Sequence, residues 1–188
     1  MNYKILLLLL LPLLIACDKA ENKYDRGFCK LIINNESEHS DPTLAKAMTP
    51  YSNVFVCITT TTHDGATFFR FTDNHGSPAT ESRFTAPDVR RQPIIGMNNA
   101  VIVGYGNGTT PVFYAYDAEC PNCFDFNRLP LRSYRLQLLP SGLAECKNCK
   151  RTYAMNEGGF VAKGDGGASL IPYPGSAHGP YGVLQVIK

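Results

Sequence analysis

A predominantly β domain is the fold expected of this chain, and two observations predict it. From residue 28 onward the apolar residues fall in short runs or alternate with polar ones, and the runs are rich in Val, Ile, Phe, Tyr and Thr. Turn residues punctuate these runs, and 16 Gly with 13 Pro suit a turn-rich β architecture. In chain order the expected strands are Phe28 to Ile33, Val54 to Thr60, Thr67 to Phe71, Ile94 to Ile95, Ala100 to Tyr105 and Val112 to Tyr116. Asp64-Gly65, Asn74-His75-Gly76, Gly96 and Gly106-Asn107-Gly108 break them. One short helix is expected at Pro42 to Met48, with Asp41 as N-cap, Pro42 in the first helical position and Pro50 beyond its end. Further on, Tyr134 to Leu138 and Leu143 to Glu145 flank the turn Pro140-Ser141-Gly142. Tyr153 to Met155, Phe160 to Ala162, Leu170 to Tyr173 and Gly182 to Ile187 complete the set.

The N-terminus has a different character. Lys4 precedes an apolar run, Leu6 to Leu11 and Leu13 to Ile15, that is too short to span a bilayer and reads as a cleaved export signal. It ends in Leu14-Ile15-Ala16-Cys17, which resembles the lipobox of bacterial lipoproteins, so Cys17 is the expected lipidation site. At roughly 0.8 kcal/mol per buried methylene one acyl chain holds a protein marginally, and the two or three chains of a processed lipoprotein hold it stably. Residues 18–26 are polar and suit a flexible tether, leaving 27–188 as a single domain. The chain is therefore expected to be exported and lipid-anchored to a bacterial membrane, on its periplasmic or cell-surface face. Lys+Arg 18 against Asp+Glu 16 leaves no wide basic field, which argues against a nucleic-acid partner.

Seven cysteines carry the chemistry, and six remain once Cys17 is set aside. Cys120-Pro-Asn-Cys123 and Cys146-Lys-Asn-Cys149 are two Cys-x-x-Cys turns, each able to aim both of its sulfurs at one ion. Two disulfides are the competing reading in an exported protein, but a bond inside a Cys-x-x-Cys turn is strained and oxidising. Four thiolates around a divalent ion carry net negative charge, and Lys147, Lys150 and Arg151 stand beside them, either lowering the thiol pKa values or forming a solvated loop. Cys29 and Cys57 fall in two expected strands, either joined as a disulfide, the favoured reading, or packed as two small buried hydrophobes. His39, His63, His75 and His178 read as surface or turn residues and not as ligands. Asp117, Glu119 and Asp125 either crowd one side of the cysteine site or, the favoured reading, are solvated loop acids.

Ala115-Tyr116-Asp117-Ala118-Glu119-Cys120-Pro121, followed by Cys146-x-x-Cys149-x-x-x-Tyr153, a glycine-rich turn and Leu170-x-x-Tyr173, is similar to the Rieske iron-sulfur domain. The likeness covers roughly residues 95 to 188. It implies antiparallel β-sheets below a rubredoxin-like or zinc-ribbon-like knuckle subdomain, here about residues 115–160. In that family each loop pairs one cysteine with one histidine. Asn122 stands where the first histidine belongs, Cys149 replaces the second, and Lys150-Arg151 replaces the Gly-Ser that follows it. An ordinary Rieske centre is thereby excluded.

Three functional readings follow. The first is a non-catalytic structural or binding module whose four cysteines hold one ion, with zinc ranked slightly ahead of iron. The second is an electron carrier with a rubredoxin-type iron or a [2Fe–2S] cluster, which without imidazole ligands would sit at low potential. The third is a thiol oxidoreductase, ranked last because no helix start follows either motif to stabilise a thiolate. No catalytic group is assigned.

Overall fold

The computed structural model describes residues 27–188, and the export signal, the lipobox with Cys17 and the expected tether lie outside the described residues. The described part is mainly β, with twelve strands in three antiparallel sheets. Strands β2 (Phe55–His63), β3 (Ala66–Asp73), β4 (Thr80–Arg83), β5 (Ala100–Tyr105) and β6 (Phe113–Asp117) form a five-stranded sheet in the order β4-β3-β2-β5-β6. β1 (Lys30–Asn34), β12 (Val183–Ile187) and β11 (Gly175–Ala177) form a second sheet. The third takes β10 (Phe160–Lys163), β9 (Thr152–Ala154), β8 (Leu143–Glu145) and β7 (Gln137–Leu139).

The five-stranded sheet is the middle layer, and the side-chain alternation of its strands shows why. Val56 and Ile58 of β2, Val101 and Val103 of β5 and Ala115 of β6 enter one core, together with Leu31, Ile33, Leu184 and Val186 of the three-stranded sheet. Their neighbours Phe55, Ala100, Ile102 and Tyr116 enter a second core, shared with Cys120, Ala144, Cys146, Tyr153 and Leu170. A strand has period two, so a sheet apolar at both parities buries both faces. Ala100–Gly104 of β5 is buried without a break, as a strand covered on both faces must be.

Local signals place several elements where the sequence expects them. Asp64 and Gly65 both have positive φ, 50° and 71°, as a two-residue hairpin loop between right-twisted strands requires. The helix α1 (Pro42–Ala47) starts where Asp41 Oδ1 accepts from the Leu44 N–H at 2.8 Å. Other segments differ. Ile94 makes only an isolated bridge to Lys30, and Leu170–Tyr173 does not form a strand of its own, although the Asp117 N–H donates to Ile171 O and the Tyr173 N–H to Ala115 O. β4, β11 and a second helix, α2 (Ala86–Arg91), carry little apolar periodicity and have no counterpart in the sequence reading.

Two residue-level expectations are corrected. Cys29 and Cys57 are free thiols on opposite sides of the middle sheet, Cys29 in the first core and Cys57 against the second. A disulfide between them would have to pass through the sheet, since Cys57 points away from the face that Val56 and Ile58 present to Cys29. His39 is not a surface residue: its side chain is fully buried, with Nδ1 2.7 Å from Ser82 Oγ, Nε2 3.2 Å from Asp88 Oδ2 and its ring edge-on to Phe69. The other three histidines lie at exposed positions.

The placement of the two thiols yields a direct check. Burial raises both to about 11, so neither is reactive in the native fold. Alkylation of unreduced, unfolded protein should modify both Cys29 and Cys57, as read by mass spectrometry. A peptide pair joined through these residues would contradict the placement.

Candidate metal centre

The middle sheet delivers the first knuckle. β6 ends at Asp117, and the chain passes through Ala118 and Glu119 into Cys120. Asp117 and Glu119, expected to be solvated, are fully buried and hold this exit in place. Asp117 Oδ2 accepts from the Met97 N–H at 2.8 Å and from the Tyr173 hydroxyl at 2.7 Å, while Oδ1 accepts from the Glu119 N–H at 2.8 Å. Burial pushes the Asp117 carboxyl above its usual range, and the three donors oppose that rise. Glu119 Oε1 accepts from Asn98 Nδ2 and from Ser133 Oγ, both at 2.6 Å, and Oε2 accepts from the Tyr134 N–H. Two unpaired buried carboxylates would be costly, and here each is satisfied by several donors. Asp125 alone of the three is exposed, as the sequence suggests.

Both knuckles are tight turns. In the first, Cys120 O accepts from the N–H groups of Cys123 (3.1 Å) and Phe124 (2.9 Å), with Pro121 supplying the fixed φ of a turn's second position. In the second, which follows β8, Cys146 O accepts from the Lys150 N–H at 2.9 Å, and the Cys146 N–H donates to Arg151 O at 3.0 Å. Lys150 closes that turn at φ 60°, the left-handed region that favours glycine.

The turns bring Cys120, Cys123, Cys146 and Cys149 together, with all four sulfurs within 4.8 Å of one another. Cys120 Sγ is 3.7 Å from Cys149 Sγ, and Cys146 Sγ is 3.8 Å from Cys123 Sγ. Both contacts run between knuckles and are far too long for a disulfide, whose sulfurs sit about 2.05 Å apart. A tetrahedral ion with metal–sulfur bonds of about 2.3 Å sets its sulfurs about 3.8 Å apart. The four cysteines can therefore hold one metal ion. Cys120 and Cys146 are buried, and Cys123 and Cys149 reach toward solvent.

Surrounding groups orient the sulfurs. The Tyr153 hydroxyl lies 3.1 Å from Cys120 Sγ and accepts from Asn122 Nδ2 at 2.9 Å. Burial, then the neighbouring Cys120, keeps the Tyr153 phenol protonated far above its usual range, so it remains a donor to the sulfur. Asn122 also clamps the glycine-rich strap 164–168, with Nδ2 donating to Ala168 O (2.8 Å) and Oδ1 accepting from the Ala168 N–H (2.9 Å). Gly167 is required there, because a Cβ would come within 2.4 Å of Asn122 Oδ1. Arg151 grips the same strap from the second knuckle, its Nε donating to Asp165 O and its NH2 group to Gly166 O. Asn148 Nδ2 donates to Cys123 Sγ at 3.3 Å.

These contacts separate the thiols. Burial pushes Cys120 and Cys123 up. Burial also opposes charge on Cys149, but the backbone N–H and guanidinium of Arg151, with the adjoining thiols, outweigh it and bring this group down to about 6. Of the basic cluster only Arg151 engages the site, whereas Lys147 and Lys150 stand in solvent.

A second group, Glu38, His39 and Asp88, also brings three metal-ligating side chains together. Its carboxylates already have a cationic partner: Arg91 forks onto Glu38 at 2.6 and 2.9 Å and reaches Asp88 at 3.2 Å. This is an ion-pair network that ties the π-helical turn Asn35–His39 to α2. Sequence spacing could not assemble it, because residues 38–39 and residues 88–91 lie far apart along the chain, with Arg91 lying 53 positions beyond Glu38.

Comparison with protein-family models, with curated proteins and with solved structures finds no match to this chain.

The left-handed Lys150 can be tested. A side chain at that φ costs about 1 kcal/mol relative to glycine. Lys150→Gly should therefore stabilise the fold by up to about 1 kcal/mol, after the added entropy of the unfolded chain is set against it. Lys150→Ala should leave stability nearly unchanged. Denaturant melts of the two variants measure the difference, and a destabilised Lys150→Gly would contradict the assigned turn.

Proposed function

We propose that this chain is an exported, lipid-anchored protein whose domain uses Cys120, Cys123, Cys146 and Cys149 to bind one structural metal ion, zinc ahead of iron, as a non-catalytic structural or binding module. The observation that carries this reading is the sulfur geometry. Four sulfurs within 4.8 Å, with inter-knuckle separations of 3.7 and 3.8 Å, suit one tetrahedral ion. A two-iron cluster would divide the four sulfurs between two irons and hold the pairs farther apart. Four thiolates also fill a tetrahedral shell, so no open position remains for a substrate.

When bound, the ion supplies charge neutralisation and a crosslink. The protein's residues do the rest. The knuckles stand at the ends of β6 and β8, so the ligand set joins the middle sheet to the four-stranded one. Tyr153 and Asn148 orient sulfurs through hydrogen bonds, and Asn122 and Arg151 bind the strap 164–168 against the knuckles.

The likeness to the Rieske domain belongs to this proposal. Its support is the antiparallel three-sheet arrangement, the Tyr153 hydroxyl on a ligand sulfur, and Lys150 in a backbone conformation suited to the glycine it replaces. Export and anchoring rest on the sequence 1–17. Among the described residues no helix is long and apolar enough to cross a membrane.

Electron transfer is the second reading, favoured by the partial exposure of Cys123 and Cys149, which would bring an iron centre close to the surface. Metal analysis of protein purified from its own host separates the two, because four-thiolate sites accept zinc or iron according to supply. About one equivalent of zinc without visible absorbance is the expected result. Stoichiometric iron with a chromophore that bleaches in dithionite would favour the electron carrier, and disulfides without metal would defeat both. Chelation should raise amide exchange across residues 115–160 while β1, β2 and β12 stay protected, since binding free energy at such sites is largely local folding free energy. Unchanged exchange at the knuckles would contradict the clamp.

A further inference from the structure

The loop that leaves the first knuckle, residues 124–133, is unlike the rest of the surface. It presents Leu129, 90% exposed, with Phe126 at 50% and Leu131 at 42%. Arg128 and Arg132 alternate with these apolar residues and are exposed too, against a single acid, Asp125. Large apolar side chains are not held out in water without a reason when they gather in one loop. Apolar residues interleaved with arginines match a bilayer interface, where the apolar groups enter the acyl boundary and the guanidinium groups stay among anionic headgroups.

The described chain begins at the same place. Phe28 stacks edge-on against Phe126, with ring centroids 5.5 Å apart, and Gly27 lines a cleft of ≈ 600 Å³ with Phe124 and Phe126. Cys17 is ten residues before Gly27, so a lipid there lies within roughly 36 Å of this cleft even with the intervening chain fully extended. Tethering at that range gives the loop a high effective concentration at the bilayer, so weak contacts suffice.

We propose that the 124–133 loop, with Phe28, is a second membrane contact that docks on an anionic lipid surface and turns the first knuckle toward the bilayer. This rests on the anchoring reading above. The polar sequence of residues 18–26 is a poor match for the cleft, and a protein partner in place of lipid is an outcome that the test identifies.

The chain contains no tryptophan, so one can be placed as a sole reporter. Leu129→Trp is compared with Tyr181→Trp, an exposed position beside Gly182, at the end of β1 remote from Phe28. Each lipidated variant is purified from membranes and reconstituted into phosphatidylcholine–phosphatidylglycerol vesicles with brominated acyl chains. Emission from the Leu129→Trp variant should be blue-shifted and quenched about twofold or more, while that from Tyr181→Trp is unchanged. Adding Arg128→Gln and Arg132→Gln to the Leu129→Trp variant should reduce the quenching. If the protein is acylated on Cys17 but the residue-129 reporter is unquenched, the docking proposal fails and anchoring stands, and a shielded yet unquenched reporter marks a covering protein or chain segment. Equal quenching of both reporters also overturns a defined docking face. Absence of an acyl mass on Cys17 overturns the anchoring reading and, with it, the docking that depends on the tether.

Discussion

Four cysteine sulfurs held within 4.8 Å of one another are the constraint around which the knuckle layer is arranged. Thiolates at such separations repel strongly in a partly buried setting, so the ionised quartet needs a cation at its centre. Without one, protons must occupy most of the sulfurs. The protein makes this arrangement with short-range means: two turns, each closed by a backbone hydrogen bond to a cysteine carbonyl, and a strap pinned by Asn122 and Arg151. The buried apolar side chains of the knuckle layer, Leu136, Ala144, Tyr153 and Met155, pack in the second core with Phe55, Ile102 and Tyr116 of the middle sheet. The strands of the knuckle layer are three or four residues long, and strands that short draw stability from what they pack against.

Below the site, a buried carboxylate links the layers. Asp117 stands at the end of β6 and receives donors from the segment before β5, from the chain entering the first knuckle, and from Tyr173 ahead of β11. The position of Cys120 is thereby coupled to the middle sheet and to the segment that leads into the three-stranded sheet. Glu119 repeats the device one step later, gathering Asn98, Ser133 and Tyr134. Burying two carboxylates is worthwhile only where every oxygen has a donor, and that condition fixes the loops around them.

How much of this was legible in the sequence follows from the range of each signal. The middle-sheet strands β2, β3 and β5 announce themselves by β-branched and aromatic runs, and the Asp64-Gly65 hairpin by its turn residues. The cysteine quartet is legible because ligand spacing within a knuckle is local. β4, α2 and β11 were not legible: Thr80–Arg83 and Gly175–Ala177 have almost no large apolar residues, and the largest apolar residue of α2, Val89, faces solvent. The burial of His39, Asp117 and Glu119 depends on partners far away in the chain, such as Ser82, Asp88, Met97 and Tyr134. Residue type alone predicts solvation for such groups. The separation of Cys29 from Cys57 was hidden for a related reason, since strand membership says nothing about which of two cores each side chain enters.

The metal-edge X-ray absorption spectrum of the protein from its own host tests the central claim most directly. One ion held by Cys120, Cys123, Cys146 and Cys149 predicts a single shell of four sulfurs at about 2.3 Å with no second metal nearby. A metal–metal scattering path, or nitrogen and oxygen ligands replacing sulfur, would contradict it.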